Sequence, residues 1–138
     1  MRGPRLPPYL QDPEAVLREL TDIRYERKEH FVGLYLDAAN RLIYREIVSV
    51  GTLTAALVHP REVFAPALER RAAGLIVAHN HPSGLVRPSP EDRETTRRLE
   101  QAGLVLGIPL LDHVIVGAEG CFSFRRQGLL GRGPSGQI

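Results

Sequence analysis

Residues 74–78 read Gly-Leu-Ile-Val-Ala, an unbroken apolar run followed by His79-Asn80-His81 and then by Pro82-Ser83-Gly84. A short run of this kind fits a strand buried on both faces. The residues behind it end the ladder, because proline has no N–H to donate and glycine permits a sharp turn. A strand with two buried faces needs neighbours beside it and covering layers above and below. The remaining sequence therefore has to supply both helices and further strands.

It does so in alternation. Asp12-Pro13-Glu14 is a helix-start signal, with a capping side chain, proline at the first helical position and then an acid. Val16, Leu17, Leu20 and Ile23 follow at helical spacing. From His30 the period changes to two: Phe31–Leu36 reads as a strand, Asp37-Ala38-Ala39-Asn40 as a turn and Arg41–Val50 as a second strand, a hairpin. Gly51-Thr52-Leu53 begins a connection with room for a short strand. Pro60 opens a second helix, expected to bury Val63, Phe64, Ala67 and Leu68. A third helix is expected from Pro90 to Leu106, stopped by Gly107, and strands at Leu111–Val116 and Cys121–Phe124 close the series. Helices interleaved with strands predict an α/β or α+β class with a mixed sheet, arranged as one three-layer domain.

A length of 138 residues suits one domain, and 43% hydrophobic with 25% charged residues allows a core without disulfides. The packed unit is expected over residues 12–130, between a proline-rich flexible segment at 1–11 and a flexible glycine-rich tail at 131–138. The single cysteine, Cys121, excludes an internal disulfide and a cysteine-rich zinc site. No apolar run is long enough to span a bilayer, and the basic start is not followed by the apolar stretch of a signal peptide. A soluble cytoplasmic chain is the expectation. The formal net charge of +2 permits nucleic-acid contact without arguing for it.

The chemistry gathers behind the apolar strand. Residues two apart on a strand share a face, so the imidazoles of His79 and His81 project together where the strand ends. The chain then loops into a helix whose first turn holds Asp92. Two nitrogens, one carboxylate oxygen and a water make an open tetrahedral zinc site. A plainer reading of Ser89-Pro90-Glu91-Asp92 is a capping box, which accounts for the serine and the aspartate with no metal. The two are compatible if Asp92 turns toward the metal while Ser89 stays at the helix start.

The spacing His79-x-His81, seven residues, Ser89, two residues, Asp92 resembles the JAMM (MPN+) motif, and His79-Asn-His-Pro-Ser-Gly84 with Pro88-Ser89 resembles its RadC version. His59-Pro-Arg-Glu62, Asp37 with Asn40, Gly51-Thr-Leu53, Leu111-Asp-His-Val-Ile-Val-Gly117 and Ser123-Phe124 are similar to RadC as well. The resemblance covers about residues 12–130. It implies a three-layer, cytidine-deaminase-like (JAB/MPN) fold with a mixed sheet and three main helices. It also implies a zinc ion held by His79, His81 and Asp92. The motif's upstream glutamate maps to Glu29, with Glu26 as the fallback, and its serine to Ser89. The implied activity is hydrolysis of peptide or isopeptide bonds in a protein or peptide substrate, with Glu29 as proton carrier and the Ser89 hydroxyl beside the oxyanion.

Asn80 stands where eukaryotic deubiquitinating relatives usually have serine or threonine, so ubiquitin-like specificity is not implied. Longer RadC proteins carry an N-terminal helix-hairpin-helix region of a DNA-binding type. With about a dozen residues before the first helix, that region is not expected here, which weakens the alternative of a non-catalytic or DNA-maintenance accessory module. Asp112-His113 is a candidate polar pair near the site, or a hydrogen-bonded structural unit. His30 and His59 are not expected to be ligands. Arg93, Arg97 and Arg98 are expected on a solvated helix face, and Cys121 as a small buried residue. A zinc deaminase would need a cysteine pair, and the letters His-Asn-His do not make an HNH nuclease.

Overall fold

The computed structural model describes residues 6–51 and 58–130. Along the chain lie α1 (Pro13–Glu19), β1 (His30–Leu36), β2 (Leu42–Val50), α2 (Pro60–Glu69), β3 (Gly74–Asn80), α3 (Pro90–Leu106), β4 (Leu110–Gly117) and β5 (Gly120–Ser123). The five strands form one mixed sheet in the order β2-β1-β3-β4-β5. The β3–β4 pair is parallel, joined through α3, and the other neighbours are antiparallel. β3 is central, and every residue from Gly74 to Asn80 is buried, as its apolar run requires.

Alternation along the strands sorts side chains into two cores. Phe31, Tyr35, Val77 and Ile115 pack with Val63 and Phe64 of α2 and Leu99 of α3 on one face. Val32, Leu34, Ile76 and Val114 pack with Val16 of α1 and with Leu20 on the other. The result is the three-layer α/β arrangement of the JAB/MPN fold. No helix among the described residues is long and apolar enough to cross a membrane.

Several boundaries differ from the sequence reading for local reasons. The packed chain begins before Asp12: Tyr9 bridges Arg41, Leu42 N donates to Pro8 O at 2.9 Å, and Leu10 is buried. The first helix stops at Glu19, and residues 20–25 continue as turns. Leu20 and Ile23 still reach the core from those turns. Leu68, expected to be buried, is 55% exposed, because the inward stripe of α2 is Val63, Phe64, Pro66 and Ala67. Cys121 is only partly buried, since β5 is an edge strand. The short strand expected after Gly51 and the tail at 131–138 lie outside the described residues.

The close of α3 supplies a stability test. Gly107, at φ 71°, ends the helix, and Ile108 N donates to Gly103 O at 3.0 Å as the chain turns back into β4. A Cβ on Gly103 would lie 2.6 Å from Ile108 O. In an exposed helix Gly→Ala stabilises by about 1 kcal/mol. Here backbone fills the space, so Gly103→Ala is expected to destabilise by roughly 1–3 kcal/mol. Urea unfolding at constant m-value reads the sign.

Candidate metal centre

The site forms where β3 leaves the sheet and α3 begins. Pro90 at the first helical position and the Ser89 cap start α3, and both halves of the capping box are present. Ser89 Oγ accepts from Asp92 N at 3.0 Å, and Asp92 Oδ2 accepts from Ser89 N at 2.9 Å. The same carboxylate also faces both histidines: His79 Nε2 lies 3.2 Å from Oδ1 and His81 Nε2 lies 3.2 Å from Oδ2. The two Nε2 atoms are 3.0 Å apart. Capping and convergence are therefore both real, and one aspartate does both.

The protons on the rings follow from their outer contacts. Thr96 Oγ1 donates its one proton to Asp92 O at 2.7 Å, so at 2.6 Å from His113 Nδ1 it accepts. Complete burial holds the His113 imidazole well below its ordinary pKa, and the ring is uncharged. With its proton on Nδ1, His113 Nε2 accepts from His79 Nδ1 at 2.8 Å. His81 Nδ1 donates to Leu85 O at 2.9 Å. In the neutral form each of these two rings has thereby committed its proton outward, and each Nε2 presents a bare lone pair inward.

Two lone pairs and a carboxylate about 3 Å from one another repel unless a cation sits among them. A proton is one such cation. Correspondingly, the Asp92 carboxylate at 3.2 Å pushes His81 up against the opposing effect of burial. Burial works to raise Asp92, but the hydrogen bonds from His79 and His81 outweigh it and hold the carboxyl well below the usual range. A metal ion is the other. Ligands about 2.0 Å from a tetrahedral ion lie about 3.3 Å from one another, close to the 3.0 and 3.2 Å separations here. His79, His81 and Asp92 form the group of acidic and histidine side chains among the described residues that could hold a metal ion.

Aromatic rings wall the cluster on the core side. Phe31 stacks near His79 with centroids 5.9 Å apart, and Phe124 stacks on His113 at 4.7 Å. Asp112 and His113, read together in the sequence, separate in space because neighbours on a strand face opposite ways. His113 backs the cluster, whereas the Asp112 carboxylate accepts from Ser123 Oγ at 2.5 Å and Arg125 N at 2.9 Å. Burial pushes the Asp112 carboxyl up.

Glu29 is not part of the three-residue group. It sits beside it, in a cleft of about 440 Å³ lined with Arg27, Lys28, Gly51 and Pro82, and its charge acts to raise the His81 imidazole. Glu26 is exposed. His59 caps α2, accepting from Arg61 N at 3.1 Å, and His30 Nδ1 donates to Lys28 O at 2.9 Å, so neither histidine joins the cluster. Arg97 pairs with Glu94 at 2.6 Å on the exposed side of α3. Thr96 was not singled out from the sequence. It lies four residues beyond Asp92 on the same helical face, which was the available signal.

The sequence pattern of the RadC-like JAB domain matches residues 10–129. A UPF0758 protein of Symbiobacterium thermophilum is 60% identical over 122 residues, 88% of this chain and 52% of that protein. A UPF0758 protein of Shouchella clausii is 49% identical over 123 residues, 88% and 53% of the two chains. Another, from Pelodictyon phaeoclathratiforme, is 54% identical over 105 residues, 76% and 47%. The chain thus spans about half the length of the curated relatives it matches. With the motif, the mixed three-layer fold and the match over most of its length in agreement, the chain belongs to the RadC family as a RadC-like JAB domain.

Proposed function

We propose that the domain is a zinc-dependent hydrolase of peptide or isopeptide bonds, with His79, His81 and Asp92 as the metal ligands. The observation that carries this reading is the meeting of two Nε2 atoms and one carboxylate at separations of 3.0–3.2 Å. A nitrogen-rich donor set of three with a fourth position left to solvent suits catalytic zinc. When bound, the ion supplies Lewis acidity, lowering the pKa of water toward about 7 and polarising a carbonyl.

The chain's own groups do the rest. Glu29, in the cleft beside Pro82, takes the proton of the attacking water and later delivers it to the leaving nitrogen. Ser89 Oγ accepts from Asp92 N, so its own proton points elsewhere and can be donated to the oxygen on which negative charge develops. His113 and Thr96 keep the proton of His79 on Nδ1, which keeps Nε2 available to the metal. Phe31 and Phe124 keep the rear of the cluster dry and the imidazoles fixed.

The test is metal analysis of the purified chain together with a peptide and isopeptide cleavage screen. One zinc per chain is expected, with cleavage lost on chelation and restored by zinc. A chain that takes up no zinc at neutral pH would remove the ligand assignment. A zinc-loaded chain that cleaves no amide would remove the hydrolase.

A further inference from the structure

We infer that Asn80 is a positioning residue that sets Glu29 beside the metal cluster. This rests on the reading of Glu29 as proton carrier and adds the device that holds it there. Asn80 lies between the two histidines, and strand alternation turns its side chain to the opposite face of the sheet, toward the segment that follows α1. It is fully buried, and every hydrogen-bonding position it uses is matched. Oδ1 accepts from His30 N at 2.6 Å. Nδ2 donates to Glu26 O at 3.1 Å and to Lys28 O at 3.0 Å.

The three bonds fix residues 26, 28 and 30, on both sides of Glu29. The Glu29 carbonyl is held in addition by Gly51 N at 2.8 Å. Among the described residues no side-chain hydrogen bond or ion pair restrains the Glu29 carboxylate, so its place is set by its backbone. Glu29 directly precedes β1, two residues before Phe31, whose ring lies against His79; the alternation of β1 continued by that one residue puts it on the same face. One side chain thus grips the backbone from the α1 face while the carboxylate is offered on the histidine face. The grip needs one acceptor and two donors in a single planar group, which an amide provides. A carboxylate would set an oxygen against two carbonyls, and a serine hydroxyl has one proton.

The test uses the zinc-loaded chain with Asn80→Ser, and Asn80→Asp as a second variant, each alone and combined with Glu29→Gln. Zinc content should stay at the wild-type level, because the orientation of His79 and His81 depends on His113 and Leu85 and not on Asn80. Amide exchange across residues 26–30 should speed by about tenfold or more. The turnover number should fall by about 10²-fold with KM little changed, since a misplacement on the order of 1 Å has that effect. In the Glu29→Gln background the Asn80 substitutions should lower the rate no further. Unchanged exchange at residues 26–30, an equal fall in both backgrounds, or loss of zinc would each overturn the inference. If the wild-type chain cleaves no peptide, the hydrolase reading fails on its own, while the exchange and zinc measurements still decide whether Asn80 holds the loop. If Asn80→Asp does not fold, Asn80→Ser, which leaves room for a water, decides.

Discussion

Glu29→Gln is expected to lower the proposed peptide hydrolysis by about 10²–10⁴-fold, the range for loss of a positioned general acid–base group, while the zinc content should stay at the wild-type value. The split between the two readouts follows from where Glu29 sits. It lies outside the three-residue cluster and shares a cleft with Pro82, one residue past His81. Glutamine has the same shape, keeps the backbone bonds that hold residue 29, and cannot accept a proton at neutral pH. Single-turnover cleavage and metal analysis on the same preparation check the prediction. Zinc loss would make Glu29 a ligand. Retained activity would move the proton transfer to another group, and Glu26, whose carbonyl is already held by Asn80 at 3.1 Å, would be the first to substitute.

The clustering of His79, His81 and Asp92 was legible in the sequence because two periodicities are unambiguous there. The i, i+2 spacing of His79 and His81 on an apolar strand fixes a shared face, and Ser89-Pro90 fixes where α3 begins and thus where Asp92 stands. What lay hidden depended on which strands become neighbours. His113 reaches His79 because β3 and β4 pair in parallel with Val77 opposite His113. No local pattern states that register. Asn80 was visible as the middle letter of a motif, but its grip on residues 26–30 crosses 50 to 54 positions of sequence. The misplaced Leu68 has the opposite origin: helical spacing gave a stripe of the right period and did not show that Pro66 would take its inner edge.

The other large effect is at Asp92. Asp92→Asn should reduce zinc affinity below what a titration at neutral pH can saturate, because an amide offers the ion no negative charge between two neutral imidazoles. Zinc at a thousandfold excess over its Kd should stabilise the wild-type chain by about 4 kcal/mol, and the variant should show no such shift in Tm. In chelator a second difference should appear, with a pH dependence whose sign is fixed. Asp92 is held below its ordinary value of 3.8, so its share of stability is present above that pH and is lost as the pH falls toward the folded value. His81 is pushed above its ordinary 6.5, so its share is present below that pH and is lost as the pH rises through the folded value. Both contributions need the Asp92 charge. The stability gap between wild type and Asp92→Asn should therefore be widest from about pH 4 to 6.5 and narrow on either side. Within that window the gap should be on the order of 3 kcal/mol, the scale on which a buried ion pair is broken by removing one partner. Asparagine can still accept from Ser89 N, so loss of the helix cap does not mimic the result. Urea titrations at several pH values in chelator measure the gap, and a pH-independent difference would mean that Asp92 acts there only as a cap.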